Sequence, residues 1–475
     1  MTRSLWIGIW VLCGSVVFAQ PNPLTRWTRT IAGDSIDTVT GIVQTGAGTY
    51  LLCGYTGSWG AGGWDMYVAA LDSLGNSPWY RTYGTPYHDA ALAIRRTADN
   101  YYIVTGYSQT QENGPLHVYL MKISSLGIQQ WNRTYTGTAE EYANDVQQTT
   151  DGGYILTGAS DAVGQTFNIY LRKTDAQGNP TWTRYINHND DAGYSVQQTA
   201  DGGYIIAGRT HYFEGDGYLV KTDATGHSQW TKYIGGSGDE LFRAVKQTYD
   251  GGYIVAGKSN TSSGDDKPYL VKTDSLGRTQ WTHTYGPAGT SGAFYSVDIL
   301  ADSNYIVSGT LRGHFYIARI DTDGIVRWDE EYTNSTWSML PYAMQPTRDD
   351  CYIMAGYTTS QTHNWDFYIL KTGRDRMTAG IEPRRDPIPL GYALSAYPNP
   401  FNASTTLSLS LPHSARAHIG LYDVSGRQVG TLADGVYEAG EHRIGFDGSA
   451  LPSGIYFARL STPDFATTQK LMLLK

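Results

Sequence analysis

The stretch QTADGGYIIAG, Gln198–Gly208, admits three readings: a phosphate-cradling loop, half of a calcium site, or a tight turn between two strands. A phosphate loop would open into a helix, whereas an apolar run rich in β-branched residues follows here. The rest of the chain decides between them, because the motif recurs with its last glycine at Gly54, Gly106, Gly158, Gly208, Gly257, Gly309 and Gly356. A tryptophan recurs at the same pace, at Trp27, Trp79, Trp131, Trp182, Trp230, Trp281 and Trp328, 47 to 52 residues apart. A third marker, the Tyr of YLVKTD-like runs, stands at Tyr67, Tyr119, Tyr170, Tyr218, Tyr269, Tyr316 and Tyr368. Each period holds four short strand-like runs, in the fourth copy YSVQQT, GYIIAGR, GYLVKTD and SQWTKYI. Four strands per period of about 50 residues predict an all-β chain built on a seven-bladed β-propeller. Helical repeats are excluded by the missing 3.6-residue periodicity.

The ends of the array predict how the ring closes. TRWTRTI, residues 25–31, precedes any complete repeat, and the last repeat stops at FYILKTG without a Trp strand of its own. The N-terminal strand should therefore become the outermost strand of the seventh blade, leaving no broken junction. Within the repeat, the residue two before the Tyr of the second strand is Gly48, Asn100, Gly152, Gly202, Gly251, Ser303 or Asp350. None is bulky or β-branched, so this is a hairpin position requiring positive φ, with an Asp before it in six of seven copies.

Composition agrees: 55 glycines, 37 tyrosines and a 13% aromatic share suit short strands and tight turns. A net charge of −9 with no basic run argues against nucleic acid as a partner. The N-terminal MTRSLWIGIWVLCGSVVFAQ reads as a secretory signal peptide, residues 1–19, cut after Ala19. Its apolar run is too short for a transmembrane anchor, and no other run is long enough to span a bilayer. Cys53 and Cys351 fall at different heights on their strands and are read as unpaired, packed thiols.

Five carboxylates, Asp37, Asp89, Glu141, Asp191 and Glu240, begin successive blades. An acidic ring at the channel mouth would hold a cation or work as acid and base. Two residues after each Trp, however, stands Arg29, Arg81, Arg133, Arg184 or Lys232, and acid and base are lost together in the last two repeats. That co-loss favours an ion-pair or hydrogen-bond latch between blades. Function is expected where the symmetry breaks, in the loops entering each blade and those joining strands two and three. There lie Trp59 and Trp64 of blade one, Trp337, His363 and Trp365 of blade seven, and His211, Tyr212 and Phe213 of blade four. Exposed indoles in polar loops suit stacking on sugar rings or peptide side chains; their other use is to plug the channel or cover blade edges. HExxH, GxSxG, CxxC and Walker motifs are absent, and the DTDG at 321–324 sits at a hairpin turn. No catalytic residue, metal site or cofactor is therefore assigned.

KTDSLGRTQW, Lys272–Trp281, and LDSLGNSPW, Leu71–Trp79, resemble the tryptophan-docking motif of quinoprotein dehydrogenases and their non-enzymatic relatives, with a turn one residue shorter. The resemblance implies that the Asp and Gly shape the turn before strand four and that the Trp packs on the neighbouring blade. It does not extend to the adjacent-Cys pair or the calcium-ligand set of those enzymes, and implies fold only.

Residues 395–475 follow a Pro- and Arg-containing linker, residues 374–394, and read as a small immunoglobulin-like β-sandwich. This block closely resembles the type A C-terminal sorting domain of the bacterial type IX secretion system. The matching residues are Pro398, Asn399 and Pro400, the YDVSGR run with Gly426, the GIY run with Gly454 and Tyr456, and an apolar terminus flanked by Lys470 and Lys475. The resemblance implies that the type IX machinery of a Gram-negative bacterium is a partner. It also implies an extracellular or cell-surface destination, with the domain cleaved or retained. The chain is thus expected to be a secreted cargo: a propeller at residues 24–373, acting as a monomer and as a non-catalytic binding or adhesion module for a glycan or protein. A polysaccharide hydrolase or lyase using the same loop face is the alternative, and a structural envelope component the third reading.

Overall fold

The computed structural model describes residues 24–375 and 392–474, apart from 164–165, 187–189, 211–214, 237, 261–263, 334–337, 360–363, 398, 412–414, 438–439 and 464. The expected signal peptide and most of the linker lie outside these residues. Two compact units, residues 1–380 and 381–475, divide the chain. Every regular element among the described residues is a β-strand.

In the first unit seven four-stranded antiparallel sheets follow one another. Blade one consists of Asp37–Gln44, Tyr50–Thr56, Asp65–Leu71 and Trp79–Tyr83, and five further blades repeat that order. The seventh holds Met339–Pro346, Tyr352–Thr359 and Trp365–Thr372, and its fourth strand is Thr25–Ile31, antiparallel to Trp365–Thr372. The first strands of neighbouring blades touch all the way round, blade seven to blade one included, so they form the inner wall. The ring is closed by its own N-terminal strand, as the sequence predicts.

The hairpin turn behaves as the sequence requires. All seven residues from Gly48 to Asp350 have φ between 58° and 83°. The Asp beside them does more than shape the loop. Asp201 accepts bonds from Thr199 Oγ1 (2.5 Å) and the Gly203 N–H (3.0 Å), and pairs with Lys221 Nζ at 2.8 Å. The same Lys–Asp pair recurs at 2.6–2.9 Å as Lys122–Asp99, Lys173–Asp151, Lys272–Asp250 and Lys371–Asp349. In blade one both positions are alanine, Ala47 and Ala70. That joint loss is the trace the pair leaves in the sequence. In blade six Arg319 replaces the lysine and, completely buried, reaches two carboxylates: Asp302 of its own blade and, at 2.6 Å, Asp375 beyond the last strand. Asp375 also accepts from Tyr352 Oη (2.7 Å) and donates its N–H to the Asp350 carbonyl, which fixes the chain leaving the ring.

The last glycine of each repeat has a packing cause. Every first strand carries a β-bulge opposite it, such as Tyr194 between the pairs Gly193↔Gly208 and Ser195↔Ala207. The bulge brings the inner backbone so close that a Cβ on any of the seven glycines would lie 1.8–2.0 Å from a carbonyl oxygen. Each tryptophan packs on the next blade. Trp27, Trp79, Trp131, Trp182 and Trp230 lie against Gly75, Gly127, Gly178, Gly226 and Gly277 of the following turn. Trp27 and Trp281 donate Nε1–H to carbonyls there, of Ser73 (3.1 Å) and Thr322 (3.0 Å).

The second unit pairs a three-stranded sheet with a four-stranded one. Leu407, Leu409 and Leu411 of the smaller sheet and Ile419, Leu421, Ala458, Leu460 and Leu471 of the larger are at most 2% exposed and share one core. Asn399 braces the last strand, donating Nδ2–H to the Lys470 carbonyl (2.6 Å) and accepting the Met472 N–H (2.8 Å). Asp423 and Gly426 form a hairpin turn, and Tyr456 Oη bonds the Pro452 carbonyl at 2.8 Å. Gly454 and Lys470 are exposed. Pro398 and Lys475 lie outside the described residues.

Candidate channel-mouth site

Two positions per blade break the seven-fold symmetry on the inner wall. One is the bulge residue of the first strand: Thr40, Leu92, Asn144, Tyr194, Arg243, Tyr295 and Tyr342. The other follows the close-approach glycine: Tyr55, Tyr107, Ala159, Arg209, Lys258, Thr310 and Tyr357. The bulge supplies a residue with no partner across the ladder, so its side chain is free to vary without disturbing the blade.

These residues meet across blade boundaries. The Arg243 guanidinium lies 4.4 Å from the Tyr194 ring and 5.6 Å from the Tyr295 ring. Tyr295 meets Tyr342 edge-on at 5.7 Å, Tyr342 lies 6.1 Å from Tyr357, and Tyr357 stacks on Trp365 at 4.4 Å and 8°. On the other side of the seam Tyr55 packs on Trp64 at 5.2 Å, and Trp64 meets the His88 ring edge-on at 5.2 Å. All of these side chains except exposed His88 are half-buried. Burial raises the phenol pKa of Tyr55, Tyr107, Tyr295, Tyr342 and Tyr357, and keeps each a neutral hydroxyl at physiological pH. Lys258 is held between Asp239 and Asp266, 3.0 Å from each.

Of the residues the sequence singles out, Trp365 ends the aromatic run of blade seven and Trp64 belongs to the aromatic cluster of blade one, the two groups lying in blades that ring closure makes neighbours. Trp59 joins neither. Its indole packs on Tyr67 (5.9 Å), Tyr80 (6.0 Å) and Phe367 (6.3 Å), covering the core between those blades. Trp337, His363, His211, Tyr212 and Phe213 lie outside the described residues. Sequence reasoning missed Tyr194, Arg243, Tyr295 and Tyr342, because a position filled by five residue types in seven blades leaves no repeat.

The expected latch between carboxylates and bases is corrected. Asp37 is buried and accepts from Thr56 Oγ1 (2.5 Å) and Ser58 Oγ (2.8 Å) of its own blade. Glu240 does the same with Ser259 Oγ at 2.8 Å. Arg29 instead covers the Trp27 ring at 5.9 Å and donates to the Leu74 and Gly75 carbonyls of the next blade, and Arg81 donates to the Leu126 carbonyl. Acid and base are thus lost together in the late blades although Asp37 bonds within its own blade and Arg29 reaches the next. Asp37 and Asp366 lie near enough to repel, and burial followed by that repulsion raises the Asp37 pKa, against the hydroxyl bonds that lower it. Cys53 and Cys351 are buried free thiols, as read from the sequence. Among the described residues no group of three His, Cys, Asp or Glu side chains is placed to hold a metal, and no helix is long and apolar enough to cross a membrane.

Solved structures of similar shape are diverse. A fungal alcohol oxidase of the AA5 family, in complex with copper, aligns over 95% of this chain and all of its own, at 13% identity and a TM-score of 0.47. Puromycin hydrolase aligns over 78% of this chain and 58% of its own, at 11% and 0.47. The WD40 domain of Neurospora crassa Pan2 aligns over 72% and 97%, at 10% and 0.44. These likenesses concern backbone shape alone. No curated protein matches the chain at a significant level. Residues 395–474 match the secretion system C-terminal sorting domain, which marks the chain as a protein exported by the type IX pathway to the cell surface or the extracellular space.

Proposed function

We propose that this exported protein is a saccharide-binding module whose ligand seats at the channel mouth over the joint of blades one and seven. The observation that carries the reading is the paired aromatic belt, Tyr357 stacked on Trp365 and Tyr55 packed on Trp64, in blades that only ring closure makes neighbours. Half-buried aromatic faces bordered by phenol hydroxyls give a sugar ring both a stacking surface and hydrogen-bond partners. The N-terminal segment would be removed at Ala19, and the two sheets of residues 395–475 would act as an immunoglobulin-like module read by the export machinery. A glycan array followed by calorimetry tests the binding reading. Trp365→Ala and Trp64→Ala should each weaken binding at least tenfold, whereas Trp59→Ala should lower thermal stability and leave affinity unchanged. Failure of every saccharide to bind would overturn it.

One observation favours the polysaccharide-active alternative. Asp366 and Asp37 are buried carboxylates of neighbouring blades near enough to repel, and burial raises the pKa of each, which suits an acid–base pair. Release of reducing ends from a polysaccharide, abolished by Asp366→Asn, would establish that activity.

A further inference from the structure

We infer that Arg243 forms an anion subsite, and that the saccharide recognised at the channel mouth carries a negative charge, as a carboxylate or a sulfate ester. The inference rests on the saccharide reading above and names the class of sugar. Arg243 is the only charged residue among the seven bulge positions, where its siblings are Thr40, Leu92, Asn144, Tyr194, Tyr295 and Tyr342. Among the described residues no carboxylate pairs with it, although most charged side chains of the propeller are satisfied. Arg95 pairs with Asp145 at 2.6 Å, Arg312 with Glu331 at 2.8 Å, and Lys258 with two aspartates at 3.0 Å.

What holds Arg243 instead is two aromatic rings, Tyr194 at 4.4 Å and Tyr295 at 5.6 Å. Ring contact occupies the flat faces of a guanidinium and leaves its in-plane N–H donors for a ligand. Two planar donors are the geometry that takes a carboxylate or sulfate oxygen pair. The site is half-buried, so the attraction is screened less than at an open surface. The same Tyr295 continues through Tyr342 and Tyr357 to Trp365, and one oligosaccharide would thus meet a cation at one end of the belt and a stacking platform at the other.

The test uses the full chain and three probes: tetragalacturonate, its methyl ester, and a sulfated oligosaccharide of equal length. The acid should bind at least tenfold more tightly than its ester, and the difference should shrink as salt rises. Arg243→Gln should abolish that preference, and Arg243→Lys should keep part of it. Preference for the sulfated probe, lost in Arg243→Gln, supports the subsite equally and identifies the anion as sulfate. Equal binding of acid and ester overturns the subsite and leaves the saccharide reading standing, whereas no binding of any probe or neutral glycan overturns both. Comparing acid with ester on the unaltered protein needs no variant to fold.

Discussion

Arg319 occupies a position that five other blades fill with lysine, and its fork is what lets one side chain serve Asp302 and Asp375 together. Asp375 is 1% exposed, so removing the arginine leaves a buried carboxylate with its positive partner gone. Arg319→Ala should therefore cost about 3–5 kcal/mol in urea denaturation, and Arg319→Lys less, since an ammonium can retain one of the two bridges. The single-residue electrostatics also sets a pH profile. Burial raises Asp201, Asp250 and Asp349, but the lysine and hydroxyl partners, joined by a backbone N–H at the first two, outweigh it and hold all three at about 2. With folded pKa values below the ordinary 3.8, their stabilisation is present above that value and is lost as pH falls towards 2. Asp37, Asp65 and Asp366 run the other way, since burial raises them. Their contribution is full below 3.8 and is lost as pH rises through the raised folded values. Asp366→Asn should accordingly raise the melting temperature at pH 7 and change it little near pH 3. A fall at pH 7 would show that the ionised form is needed.

At the scale of the element, Thr25–Ile31 completes blade seven and also reaches blade one. It pairs with Trp365–Thr372, its Trp27 sits against Gly75 and Tyr50, and its Arg29 binds the Leu74 and Gly75 carbonyls. A chain lacking residues 24–31 exposes a strand edge and unseats that joint at the same time. It should melt earlier and self-associate in sedimentation, and a peptide of sequence TRWTRTI should restore part of the loss. Closure was legible because a Trp strand without a repeat precedes a repeat without a Trp strand. The bulge opposite Gly208 was not, since the glycine recurs but its reason, the carbonyl of Ala192 2.0 Å from a would-be Cβ, belongs to the neighbouring strand.

For the molecule as a whole, the second unit has its own core, drawn from both of its sheets. We expect residues 392–475, expressed alone, to unfold in a cooperative transition of their own by calorimetry, and their failure to do so would show dependence on the propeller. The destination of the chain was readable as a resemblance, because Asn399, the YDVSGR turn and the GIY run lie close enough together along the chain to form a motif. The candidate site was half readable. Trp64 and Trp365 stood out as aromatics in irregular loops, while the ring of bulge residues had no mark.

Sequence by itself determined the blade count, the sign of φ at the hairpin between strands one and two of every blade, and the closing strand, since each follows from short-range spacing repeated along the chain. Only the tertiary structure decided who meets whom across the channel. It placed Tyr194, Arg243 and Tyr295, from three successive blades, in contact through the packing of neighbouring first strands, although some 50 residues separate each from the next. It also gave Asp37, Glu141 and Glu240 to hydroxyls of their own blades, and Arg29 and Arg81 to carbonyls of the next. Co-variation along a chain records that two positions change together, and only packing shows whether they touch.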